Sequence, residues 1–163
     1  MLITEQAPSR SAVAAARTEV IDSSRQRGVV SSRASSACPS RSWAATALRL
    51  GACSVINIKP ARVGGYLAAR AIHDLCAAQG IPVWCGGMLE TGVGRAANLA
   101  LAALENFTLP GDVSATARYF AEDITRAFVL EDGYIAVPTG PGTGVDILRD
   151  VLGRLTIRHE ILR

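Results

Sequence analysis

The chain has 163 residues, 49% of them hydrophobic and 19% charged, with a formal net charge of +3. That balance suits one folded domain with its own core and excludes a disordered or collagen-like chain. No apolar run approaches the roughly 18–20 residues of a membrane span, and Met1–Glu5 lacks the basic-then-apolar layout of a signal peptide, so a cytoplasmic location is expected.

Charge is spread unevenly. Residues 1–50 carry seven arginines against Glu5, Glu19 and Asp22, whereas the remainder has ten basic and eleven acidic residues. A nucleic-acid partner would need a basic face on the folded part, so none is expected, and no membrane partner either. Residues 1–47 are dominated by Ser, Arg and Ala, notably Ser31–Ser36 and Pro39–Ser42. A helix from about Ser11 to Ile21 is compatible with them, but no strand pattern precedes Cys53. The stretch reads as irregular: a flexible basic arm, or the translation of GC-rich DNA out of its ancestral frame.

From Leu48 the punctuation becomes regular. Cys53–Ile58 is an apolar, β-branched run that predicts a strand. Val63-Gly64-Gly65 opens a helix from about Tyr66 to Gln79, with Leu67, Ala71, Leu75 and Ala78 as an apolar stripe flanked by Ile72 and Cys76, and Gly80 as its C-terminal cap. Ile81–Cys85 is a second strand ending in Gly86-Gly87. Thr91 caps a second helix, roughly Val93–Leu104. Phe107–Leu109 is a third short strand, closed by Pro110-Gly111-Asp112. Strands alternating with helices through short connections predict a parallel sheet. Beyond Asp112 the pattern allows a short helix at Ala115–Phe120 and a hairpin of Phe128–Leu130 with Tyr134–Val137 about an Asp-Gly turn. A last helix follows at Asp146–Leu155. Cys53, Cys76 and Cys85 lie in apolar stretches and, with Cys38, form no CxxC pair, so they read as small hydrophobes.

Lys59 is the only lysine among seventeen basic residues. Arginine replaces lysine freely in chains coded by GC-rich DNA, so a lysine kept alone can be one whose amine must lose its proton, which guanidinium does not do. It sits at the C-terminal end of the Cys53–Ile58 strand, before Pro60 and the Gly64-Gly65 turn, where parallel α/β folds place chemistry.

The segments Leu50-Gly51-Ala52, Ile56–Gly65 (INIKPARVGG), Val83–Arg95 (VWCGGMLETGVGR), Phe107–Asp112 (FTLPGD) and Pro138–Gly144 (PTGPGTG) resemble, in order, the C-terminal part of the o-succinylbenzoate synthase and N-acylamino-acid racemase group of the enolase superfamily. The resemblance covers about a hundred residues, roughly the last third of such an enzyme. It implies an α/β fold, an incomplete (β/α)8 barrel whose strands at Cys53, Ile81 and Phe107 are the sixth to eighth. A return to the capping domain would follow, giving units 1–47, 48–114 and 115–163. It also implies abstraction of a proton next to a substrate carboxylate, with a divalent metal, usually Mg²⁺, stabilising the enediolate through three carboxylates at the ends of the third to fifth strands. Two lysines face each other across the substrate, and Lys59 matches the one on the sixth strand. In a cationic, partly dry site such an amine is tuned to act as a base.

The departures carry equal weight. The second-strand lysine and third-strand carboxylate have no counterpart in this sequence. The fifth-strand Asp should fall near Ser35, yet no carboxylate lies between Asp22 and Lys59. Met1–Gln6 resembles the family's fourth-strand segment, which offers Glu5 as a metal ligand. Mg²⁺ needs several converging oxygens, so this chain by itself is expected not to bind it and to be inactive. Gly87 and Met88 can line a substrate pocket or simply turn the chain. Glu90 can bond near the site or stay solvated. Asp112 can face the barrel mouth or serve its turn, and Arg62 can attract a small carboxylate substrate. His73 and the pair Glu122-Asp123 read as surface residues. Three strands would leave two open edges, which favour self-association.

Overall fold

A computed structural model describes residues 15–17, 29–31 and 40–161. Its elements are β1 (Ala15–Arg17), β2 (Val29–Ser31), α1 (Ser40–Arg49), β3 (Val55–Ile58), α2 (Pro60–Val63), α3 (Tyr66–Ala77), β4 (Val83–Cys85), α4 (Gly92–Ala102), a 3₁₀ turn (Thr116–Arg118), β5 (Tyr134–Ala136) and α5 (Arg149–Leu155).

Strands β2, β3 and β4 lie side by side in that order, all parallel. The register aligns Ser31 with Asn57 and Asn57 with Trp84. Past β4 the sheet continues as a parallel bridge between Gly86 and Asp112. The result is an α/β fold, an open strip of barrel wall with helices α1, α3 and α4 between successive strands. The β-branched residues of β3 explain its position. Ile56 and Ile58 are buried with Val83 and Cys85, and with Ala44, Ala47 and Leu48 from α1 and Ala69, Ile72 and Cys76 from α3. Burial of that apolar face supplies the main driving force for the layer.

Several elements differ from those expected. The strand sought at Phe107–Leu109 is absent. The chain pairs instead at Gly111-Asp112, where the Asp112 N–H donates to the Cys85 carbonyl at 2.8 Å. Pro110 has no N–H to offer a ladder, so the bridge forms just beyond it, while the Val83 N–H reaches the Asn106 carbonyl at 3.2 Å ahead of it. Ala15–Arg17, inside the stretch compatible with a helix, is a strand paired antiparallel with β5. β2 and α1 were also not legible: β2 is a three-residue strand inside a Ser- and Arg-rich stretch with no alternation to betray it. Both β1 and β2 fall within the segment read as irregular; the rest of residues 1–39 lie outside the described set.

The helix following Gly65 begins at Tyr66 as expected, but its inward face is Ala69, Ile72, His73 and Cys76, and Leu67 is 88% exposed. His73 is buried, not a surface residue: Nε2 accepts the Asn106 N–H at 3.2 Å and the ring stacks on Phe107. Gly80 ends α3 with φ 66°, and the Ile81 N–H returns to the Cys76 carbonyl at 2.9 Å. The hairpin turn has Asp132 and Gly133 both at positive φ, with Glu131 and Tyr134 exchanging 2.8 Å backbone bonds, but β5 takes β1 as its strand partner rather than Phe128–Leu130. Cys53, Cys76 and Cys85 are buried free thiols. No helix among the described residues is long and apolar enough to cross a membrane.

Candidate functional site

Successive residues on a strand face opposite ways, so Asn57 shares its face with the residue that follows Ile58, which is Lys59. This is the face opposite the helix-packed Ile56 and Ile58. A β-carbon added to Gly86 would come within 2.4 Å of Asn57 Oδ1 and 2.8 Å of Lys59 Cε. That close approach is why Gly86 is glycine: the lysine stem lies directly across the end of β4. A β-carbon on Gly87 would fall 2.1 Å from the Asp112 carbonyl oxygen, whose partner is the Gly87 N–H at 2.7 Å. Two glycines therefore let three strand ends converge.

The Lys59 ammonium donates to the Gly87 carbonyl at 2.9 Å and lies 3.9 Å from Met88 Sδ. Met88 is exposed beside it, with Leu89 further out. Glu90 turns back on its own loop: its Oε1 and Oε2 accept the Met88 N–H at 2.9 and 2.7 Å. Oε1 also accepts Asn98 Nδ2 at 3.0 Å. Asn98 Oδ1 in turn accepts the Tyr66 hydroxyl at 2.9 Å. Burial pushes the Tyr66 phenol pKa up, with smaller contributions from Cys85 and Glu90.

Lys59, Gly87, Met88 and Glu90 are thus brought together. Asp112 joins them through its backbone. Arg62 is exposed on α2, ahead of Gly64 and Gly65 with φ 95° and 100°. Glu5 lies outside the described residues. Among the described residues no three His, Cys, Asp or Glu side chains come close enough to hold a metal ion. β2, the strand beside β3, ends in Ser31, and the sequence supplies no carboxylate from Ser23 to Ile58. The described residues do not by themselves fit a divalent-metal site.

Sequence reasoning missed Asn57, Arg95, Asn98, Tyr66 and Asp123. Asn57 is 4% exposed, and its Oδ1 and Trp84 Nε1 are buried without a hydrogen-bond partner among the described residues. The signal for Asn57 was present in the sequence, as a polar residue alternating with isoleucines and level with the lysine. Arg95 carried no such signal. Its side chain, 2% exposed, donates from Nη2 to the Glu90 carbonyl at 3.1 Å and from Nη1 to Thr116 Oγ1 at 2.9 Å. Nη1 also lies 3.6 Å from Asp123 Oδ2. Burial lowers the guanidinium pKa, against the opposing pull of Asp123 and Glu90. Asp123, expected to be solvated, is buried and accepts the Gly92 and Ile124 N–H groups at 3.1 and 2.7 Å.

A lysine at the carboxyl end of a parallel strand, with glycines opening the neighbouring strand end, suits the wall of an α/β barrel. Residues 34–151 match the family described as Enolase C-terminal domain-like, and the chain belongs to that family. It is 63% identical over 113 residues to an N-succinylamino acid racemase of Amycolatopsis, and 56% identical over 111 residues to an o-succinylbenzoate synthase of Geobacillus stearothermophilus. Those matches cover 69% and 68% of this chain but only 31% and 30% of the relatives, so the chain spans about three-tenths of their length. Among solved structures, an enolase superfamily member from Listeria innocua superposes with TM-score 0.71 at 46% identity, over 77% of this chain and 33% of that one.

Proposed function

We propose that this chain carries one catalytic wall of an o-succinylbenzoate synthase-like enzyme, with Lys59 as the amine that faces the substrate. The carrying observation is the placement of that single lysine, at the end of β3 and across Gly86, with its ammonium on the Gly87 carbonyl. In the parent reaction, a metal-dependent dehydration serving menaquinone synthesis, such an amine moves a proton next to a substrate carboxylate or holds the charge that develops there. Arg62, Met88 and Asp112 would border a small carboxylate substrate. The racemase reading rests on the 63% identity to the Amycolatopsis enzyme, and it uses the same lysine.

The described residues do not provide the carboxylates that a Mg²⁺ ion needs, and we propose that the chain is inactive alone. We also propose that it persists as an association partner, through the sheet edges left unpaired among the described residues. A cytoplasmic location belongs to the same reading and suits three unpaired thiols.

The test is a chimera in which the 113 matched residues replace their counterpart in the Amycolatopsis relative. The chimera should racemise N-succinylamino acids with Mg²⁺ present, and Lys59→Ala within it should cut the rate by about a thousandfold. Activity that survives Lys59→Ala would remove the lysine from the mechanism. Turnover by the unaltered chain alone would end the reading of lost activity.

A further inference from the structure

The loop from Gly86 to Thr91 holds the ammonium of Lys59 through one backbone carbonyl, so whatever fixes that loop fixes the amine. Two independent holds are visible. The Glu90 carboxylate takes the Met88 N–H on both oxygens and is itself braced by Asn98, which Tyr66 braces in turn. The Glu90 carbonyl is held separately by the buried Arg95. We propose that Glu90 is a positioning residue, whose carboxylate fixes the Gly87-Met88 peptide and so keeps the Lys59 amine aimed at the end of the sheet. The proposal rests on Lys59 being the acting amine, but its test does not use activity.

Lys59 is the only lysine, so an amine reagent applied to the full chain can modify just this side chain and the α-amino group. The ratio of acetylation rates at the two sites, read by mass spectrometry at constant pH, reports how firmly the lysine is parked. In Glu90→Ala the loop loses the acceptor for Met88, and the Lys59 rate should rise about fivefold relative to the α-amine, the effect of one lost hydrogen bond. Glu90→Gln keeps an acceptor oxygen and should stay within about twofold of the parent. A merely structural carboxylate would not give this rescue together with an unchanged far-ultraviolet spectrum. Should Glu90→Ala fail to fold, Tyr66→Phe removes only the far brace and should raise the rate about twofold. A folded Glu90→Ala or Tyr66→Phe with the parental ratio overturns the proposal, and so does a Glu90→Gln as reactive as Glu90→Ala. An inactive chimera would leave these ratios untouched, so failure of the enzyme reading and failure of the positioning role are told apart.

Discussion

Residues 40–113 and residues 114–161 are held together by different physics. The first region buries apolar side chains between sheet and helices: Ile56, Ile58, Val83, Ile72, Leu99 and Val113 lie in one cluster, to which the second contributes Ile135, with Phe128 and Val137 packed against it. The second region offers Ser114, Thr116, Asp123 and Thr125 as buried polar groups. It is fastened to the first through them. Arg95 reaches Thr116 and Asp123 from α4, Thr116 Oγ1 accepts the Phe128 N–H at 2.9 Å, and Gly92 donates to Asp123. Gly92 lies so close to Thr125 that a β-carbon there would fall 1.7 Å from Thr125 Oγ1. Apolar packing tolerates imprecision, whereas a buried charge without its partner does not. The return segment should therefore fail abruptly where the barrel strip fails gradually.

The sharpest break is Arg95→Leu. It leaves the Asp123 carboxylate, 1% exposed, without its countercharge, and should cost about 4 kcal/mol in urea unfolding. Adding Asp123→Asn removes the stranded charge while keeping an oxygen for Gly92 and Ile124, and should recover about half of that loss. A double variant no better than the single would mean that the pair does not fasten the two regions. Next comes Ile58→Ala in the strip, the last residue of β3 and wholly buried. A cavity of that kind should cost about 3 kcal/mol, with the urea transition still single.

This division also explains what the sequence disclosed. β3, α3, β4 and α4 announce themselves because apolar periodicity and Gly punctuation are local signals, and Lys59 stood out because it ends such a strand. β2 could not be read from Val29-Val30-Ser31, since three residues carry no alternation and its support comes from β3 across the sheet. Arg95 looked like one charged residue in an alanine-rich helix, and Asp123 like half of an acidic pair. Their burial is decided by partners 21 to 31 positions away, which no local pattern encodes. Glu90 was recognised as a candidate, but that its oxygens fold back onto Met88 depends on a loop geometry set by Gly86 and Gly87. Phe107–Leu109 has strand composition, yet the bridge to β4 forms a few residues later, at Asp112.

Alkaline pH should strain the strip and spare the return segment. Burial pushes the Cys85 thiol up to about 12 and Cys76 up to about 11, from an ordinary value of 9.0. The folded state holds these protons more tightly than the unfolded chain, so their stabilising contribution is whole below pH 9 and declines as pH climbs toward 11 and 12. At pH 10 the loss should be about 1 kcal/mol for each thiol. Replacing both by alanine should flatten the urea midpoint between pH 8 and 10, at the separate cost of two small cavities. A midpoint that falls as steeply without them would assign the alkaline effect elsewhere.

The smallest effect tests whether the hairpin unfolds with the strip or before it. Gly133 sits at φ 82° and its neighbour Asp132 at φ 49°, the paired left-handed conformations of a two-residue hairpin turn. Asp tolerates that region better than most side chains do, and Gly adopts it without penalty. Gly133→Ala should therefore cost about 1 kcal/mol. If Ile135, buried in the common cluster, makes the hairpin part of the same cooperative unit, the whole urea transition shifts by that amount. If the hairpin opens on its own, the shift appears only in amide exchange at Glu131 and Tyr134, whose backbone bonds close the turn. The second outcome would confine the polar fastening to Thr116 and Asp123 and leave β5 as a local flap on the strip.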